Sequence, residues 1–125
     1  MGAFSRTSSA RIDLGKAGEK AAAHLLQKLG YEVVGAGFLA RRGELDLVCR
    51  RGNELLVVEV KTRTSDAFGT PVEAVGSRKR RALMSAAAEY RALAGWRGAI
   101  RYAVVGLILQ PDGSFSAELI EDPFD

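Results

Sequence analysis

Gly43-Glu44-Leu45-Asp46-Leu47-Val48-Cys49-Arg50-Arg51-Gly52-Asn53-Glu54-Leu55-Leu56-Val57-Val58-Glu59-Val60-Lys61 is the segment on which the reading of this chain turns. Two apolar runs, at 45–48 and 55–60, flank the turn-forming Arg51-Gly52-Asn53, a pattern that predicts two short antiparallel strands joined by a tight turn. Successive side chains of a strand point to opposite faces. Glu44, Asp46 and Val48 are therefore expected on one side of the first strand, and Glu59 and Lys61 on one side of the second. Cys49 shares parity with Leu45 and Leu47 and is expected in the apolar layer. Carboxylates set into apolar strands are costly to bury unless they are paired, hydrogen-bonded or bound to a metal. The gathered acids and lysine form a candidate site.

Divalent-metal chemistry on a phosphodiester suits this set. Asp46 and Glu59 offer hard oxygen ligands to Mg²⁺, with Mn²⁺ as an alternative, and the Val60 carbonyl can add a third oxygen. Lys61, two residues beyond Glu59, is placed to orient or help deprotonate an attacking water and to offset charge on the phosphate. The pattern is an acid followed by acid-x-lysine.

With its thirteen-residue spacing, Asp46…Glu59-Val60-Lys61 resembles the PD-(D/E)xK nuclease motif, here without the proline. More closely, the chain resembles the YraN-like family of small bacterial predicted endonucleases, related in fold to archaeal Holliday-junction resolvases. The marks that carry this are Gly15-x-x-Gly18-Glu19, Gly30-Tyr31, Gly43 to Leu47, Val58-Glu59-Val60-Lys61-x-Arg63, Phe68-Gly69 and Lys79. The resemblance implies a single-domain restriction-endonuclease-like α/β fold, with a mixed central sheet flanked by helices. It further implies a Mg²⁺-dependent endonuclease acting on DNA, with branched or structured DNA as the form suggested by the resolvases. Glu19 would approach the metal site from the first helix, and Lys79 would join the substrate contacts. Junction-cutting relatives work as pairs, so a homodimer is implied as well, although no segment here marks a self-association surface. The chain departs from the family where Gly37 and Leu39 stand in place of an asparagine and an arginine, and where Ala103 follows Tyr102 in place of an aspartate.

At 125 residues the chain has room for one domain with a substantial core. A single cysteine and no zinc-ligand spacing fit a reducing, cytoplasmic setting. The longest apolar run, 103–109, is too short to cross a bilayer, and no membrane association is expected. All 18 Lys and Arg lie in the first 110 residues against ten acids, a net +8, while the last fifteen carry five acids and no base. A basic body suits a polyanion such as DNA, and it equally describes an ordinary solvated surface.

Met1 to Ala10 reads as a frayed terminus, giving a flexible segment 1–12, a nuclease-like domain 13–121 and an acidic tail 122–125. Asp13 can cap a helix running to about Leu29 with Ala22, Leu25, Leu26 and Leu29 inward, stopped by Gly30. On that helix Glu19 borders the buried face; apart from the resemblance it reads as an exposed acid favoured by the helix dipole. His24, the only histidine, reads as a surface or packing residue. Residues 30–34 predict a turn into a first strand and 35–43 a glycine-rich loop, whose Arg41 and Arg42 are placed to meet phosphate. Thr70-Pro71-Val72-Glu73 offers a capping box for a short turn. A longer helix is expected from Arg78 to Leu93, with Ser77 as an alternative cap and Leu83, Ala86, Ala87, Tyr90 and Ala94 inward. The helix opens with Arg78-Lys79-Arg80-Arg81, four cations that oppose its dipole. Arg63, Lys79 and Arg80 join Arg41 and Arg42 as candidate phosphate contacts. Residues 101–109 predict a strand covered on both faces, and Phe115–Ile120 a closing strand. Two functions are compatible with this set: a metal-dependent endonuclease using Glu19, Asp46, Glu59 and Lys61, or a non-catalytic nucleic-acid-binding accessory protein on the same fold.

Overall fold

The central hairpin forms where the alternation places it. In the computed structural model, which describes residues 2–64 and 76–124 and side chains from Asp13 onward, β2 (Glu44–Arg51) and β3 (Glu54–Arg63) pair antiparallel. The turn is Gly52-Asn53, with Gly52 at φ +61°; a positive φ at the first turn position is what a type II′ hairpin demands and what glycine supplies without strain. β1 (Glu32–Leu39) lies antiparallel to the outer side of β2. After β3 the chain crosses through α2 (Ser77–Ala94) to β4 (Ala99–Leu109), which is parallel to β3, and β5 (Phe115–Glu121) returns antiparallel to β4. The five strands stand in the order β1-β2-β3-β4-β5, a mixed sheet in one α/β domain of the restriction-endonuclease-like kind.

Each face of the sheet is covered by one helix. α1 (Gly2–Lys28) buries Ala22 and Leu26 against Leu47, Leu56, Val58 and Val105. α2 buries Leu83, Ala86 and Ala87 against Leu45, Leu55, Val57 and Val104. β3 and β4 therefore feed both layers with alternate residues, which is why they read as continuous apolar runs rather than as an alternating pattern.

Several boundaries differ from expectation. α1 begins at Gly2, so Asp13 lies inside the helix and caps nothing; Leu29 is 46% exposed and lies outside the stripe. β1 continues through the glycine-rich stretch expected to be a loop. A bulge between Val33 and Gly35 and a left-handed Gly37 (φ +64°) bend this strand without ending it. The N-cap of α2 is Gly76 and not Ser77, with no side-chain cap bond, and Ala94 is exposed. The capping box at 70–73 and Phe68-Gly69 lie outside the described residues. Beyond β5 the chain is tied to the body. Arg101 Nη2 donates to Asp122 Oδ2 at 2.7 Å and Nη1 to Glu54 Oε1 at 3.1 Å, the Asp122 N–H donates to the Tyr102 carbonyl, and Phe124 packs on the Tyr102 ring.

Candidate active site

β2 and β3 run side by side only as far as Leu47 and Val58. Both strands continue beyond that point, but β3 stays with β4 while β2 turns away with β1. At this fork β2 breaks parity. Leu45 lies in the α2-side core and Leu47 in the α1-side core, whereas strict alternation would put both on one face. Gly37, the left-handed residue of β1, lies between Ala36 and Phe38, the partners of Leu47 and Leu45. The two strands thus kink together. The expected grouping of Glu44, Asp46 and Val48 on one face, and of Cys49 with both leucines, is corrected accordingly; Cys49 shares a layer with Leu47 alone.

Asp46 sits at the kink. Its Oδ2 accepts the Val60 backbone N–H at 2.8 Å, filling the place of the ladder carbonyl that the fork removes. In a strand the N–H and C=O of one residue face the same neighbour, so the Val60 carbonyl is turned toward the same wedge. Asp46 and the Val60 backbone meet at this wedge, and Glu59, the preceding residue of β3, lies near enough to feel the charge of Asp46.

Glu59 is 3% exposed, the only charged residue among the buried ones described. Alternation places it on the α2 side of β3, where Lys79 in the first turn of α2 brings Nζ to 3.3 Å from Glu59 Oε1; Lys61 Nζ lies 3.4 Å from the same oxygen. Glu59 Oε2 is buried and has no hydrogen-bond partner among the described residues. Burial first, and then the charge of Asp46, push this carboxyl above the ordinary range, against the opposing pull of Lys79 and Lys61. Glu19 is raised as well, by partial burial and by Asp46 and Glu44, with Lys16 opposing. Glu19 reaches the site because Gly18 lets α1 approach β3 closely: a Cβ there would collide with the Thr62 side chain. Glu19, Asp46, Val60 and Lys61 line an open cavity of about 360 Å³ together with Leu14, Gly15 and Thr62.

The donor set fits a hard divalent ion. Among the described residues no three His, Cys, Asp or Glu side chains group to enclose a metal by themselves. Two carboxylates, one with a free buried oxygen, plus a backbone carbonyl are what Mg²⁺ accepts when it keeps several waters. Lys79 and Lys61 together match Asp46 and Glu59 in charge. Cys49 takes no part: it is buried, and burial pushes its thiol up to about 11, far from a nucleophile at neutral pH. His24 is exposed on α1.

The candidate phosphate contacts separate into groups. Arg41 and Arg42 are exposed on the 40–43 turn beside α2. Arg63 is half-buried at the end of β3. Lys79 lies on Glu59. Arg80 lies with its guanidinium 5.3 Å from the centre of the Phe124 ring and its Nε buried without a partner among the described residues. The contact of Lys79 with Glu59 was not read from the sequence. Its only signal was a run of cations set against a helix dipole.

The model of a family described as "Uncharacterised protein family UPF0102" matches residues 18–107, a span that contains Glu19, Asp46, Glu59, Lys61 and Lys79. A UPF0102 protein of Symbiobacterium thermophilum is 40% identical over 112 residues, covering 89% of this chain and 95% of its own length. One of Anaeromyxobacter dehalogenans is 40% identical over 116 residues, covering 92% and 86%. One of Moorella thermoacetica is 42% identical over 96 residues, covering 76% and 80%.

Proposed function

The chain belongs to the uncharacterised protein family UPF0102, and we propose that it is a metal-dependent endonuclease hydrolysing phosphodiester bonds in DNA. The observation that carries this reading is the buried Oε2 of Glu59, which has no hydrogen-bond partner among the described residues, on a carboxyl that feels the charge of Asp46. An uncompensated buried carboxylate oxygen is expensive, and a cation is its simplest complement.

In this reading Asp46, Glu59 and the Val60 carbonyl hold Mg²⁺ or Mn²⁺. Such an ion, when bound, makes a water more acidic and polarises a phosphoryl oxygen. Lys61 lines the cavity with Asp46 and Val60 and orients the attacking water or offsets charge on the phosphate. Glu19, at the rim, accepts a hydrogen bond from that water. Lys79 favours the ionised form of Glu59 from the α2 side. The proposal takes DNA as partner, a cytoplasmic setting and, from the resemblance to junction-cutting enzymes, a homodimer acting on branched or structured substrate.

One observation favours the alternative, a nucleic-acid-binding accessory protein without catalysis: Lys61 and Lys79 already bracket Glu59 Oε1 and match the two carboxylates in charge. Labelled single-stranded, duplex and four-way-junction DNA incubated with Mg²⁺, Mn²⁺ or EDTA separates the two. Cutting that needs metal and is lost in Asp46→Asn supports the enzyme. Binding without cutting by either protein supports the accessory role.

A further inference from the structure

Arg42, Arg78 and Arg81 line one depression of about 250 Å³ with Ala82 and Ser85. Arg78, Arg81, Ala82 and Ser85 follow the i, i+3, i+4, i+7 spacing of a single helix face, and Arg42 comes from a different element, the turn between β1 and β2. That turn is closed by the Ala40 N–H donating to the Gly43 carbonyl at 2.9 Å. It is fixed to α2 at two points. The Arg41 N–H donates to Glu89 Oε2 at 2.9 Å, and Gly43 packs so closely that a Cβ would come within 3.0 Å of the Ala82 carbonyl oxygen. Arg42, between these anchors, is thus held against the helix.

All three arginines are exposed, none makes an ion pair among the described residues, and none of the described residues lining the depression is a carboxylate; Glu89, which lines the adjoining depression with Arg42, accepts the Arg41 N–H. Guanidinium groups stay protonated at any working pH. Three of them gathered without an acid among the described residues of the depression, at the end of a helix whose dipole already repels cations, lose stability that a polyanion would restore. A planar fork of N–H donors matches the oxygens of a phosphodiester.

We propose that Arg42, Arg78 and Arg81 form a cradle for a backbone phosphate of nucleic acid, separate from the carboxylate site and continuous with it. The continuity is covalent twice over: Arg42 lies four residues before Asp46 on one side, and Arg78 adjoins Lys79, which reaches Glu59, on the other. Four extended residues span at most about 13 Å, so the cradle holds a phosphate a few nucleotides from the bond addressed by Asp46 and Glu59. The position along the strand rests on the nuclease reading; the cradle itself does not.

The test is binding of labelled duplex DNA by full-length Asp46→Asn protein in EDTA, followed by fluorescence anisotropy at several salt concentrations, so that absence of cleavage has no bearing on the result. Each of Arg42→Ala, Arg78→Ala and Arg81→Ala should weaken binding severalfold and reduce the slope of log affinity against log salt by about 0.9 per lost contact. The triple variant should lose about a hundredfold or more. Arg97→Ala, an exposed arginine elsewhere, should change neither quantity. A triple variant with unchanged thermal unfolding that binds within twofold of its parent, with the same slope, overturns the cradle. So does inorganic phosphate that protects the parent but not the triple variant from heat while DNA binding is unaffected by the substitutions, since the site would then take free phosphate.

Discussion

Asp46 holds Val60 across the fork of the sheet: the side-chain Oδ2 accepts the backbone N–H at 2.8 Å, so one carboxylate both terminates the β2–β3 ladder and faces the cavity. The two roles come apart under substitution. Asn keeps an acceptor oxygen for the Val60 N–H, whereas Ala leaves that donor unpaired in a half-buried position, at a cost of about 1–2 kcal/mol. Asp46→Ala should therefore melt several degrees below wild type and Asp46→Asn close to it, both without metal-dependent cutting. Equal melting temperatures for the two variants, measured by circular dichroism, would remove the structural role.

Glu59 gives a pH dependence of defined sign. Its carboxyl is raised above the ordinary 4.5 by burial and by Asp46, so the folded state binds its proton more tightly than the unfolded state. The stability associated with that proton is present below about 4.5 and is lost as pH climbs through the higher folded value. Glu59→Gln has no such proton to lose. In EDTA its melting temperature relative to wild type should rise with pH from 4 to 8; a difference that stays flat or falls would contradict the raised carboxyl.

Metal should reverse that order. If Asp46 and Glu59 are the ligands, Mg²⁺ or Mn²⁺ at ten times its dissociation constant stabilises wild type by about 1.4 kcal/mol, and the same concentration leaves Asp46→Asn and Glu59→Gln unmoved. Thermal melts with and without EDTA read this directly. A metal-induced shift of equal size in all three proteins would place the ion elsewhere.

Gly18 is the contact through which α1 delivers Glu19. Gly18→Ala forces its Cβ into the Thr62 side chain, an overpacking of a kind that costs about 1–3 kcal/mol, and moves Glu19 from the rim. Adding Thr62→Ala should recover part of the lost stability, because it removes the Oγ1 and Cγ2 atoms that collide. A double variant no more stable than Gly18→Ala alone would locate the strain somewhere other than this pair.

How far the sequence could be read follows from which features are local. The hairpin, the positions of Asp46 and Glu59 and the doubly covered β4 were legible, because strand alternation and a glycine turn act over a few residues. The kink at Asp46 was not. It depends on Gly37 in a neighbouring strand, and glycines that bend a strand cannot be distinguished by composition from glycines that end one. The contact of Lys79 with Glu59 was hidden for a similar reason. It joins a helix to a strand across the α2-side core, and only the packing of Leu83 and Ala86 on Leu55 and Val57 fixes the distance. The start of α1 was misplaced because Asp13 offered a good cap, and a cap signal marks where a helix can begin without forbidding turns before it.

The fork of the sheet also bears on the order in which the chain assembles. Asp46 and Val60 are 14 residues apart and close through a two-residue turn, so the entropy of bringing them together is small, and hairpins of this size form in about 1–10 μs. Glu19 and Lys79 reach the same region from opposite faces, over longer stretches of chain, and only after each helix has found its own layer. The acidic half of the site should thus exist before either half of the core is complete. Lys61 alone would face Glu59 until α2 docks, which makes the arrival of Lys79 the step that completes the charge balance around the buried carboxylate.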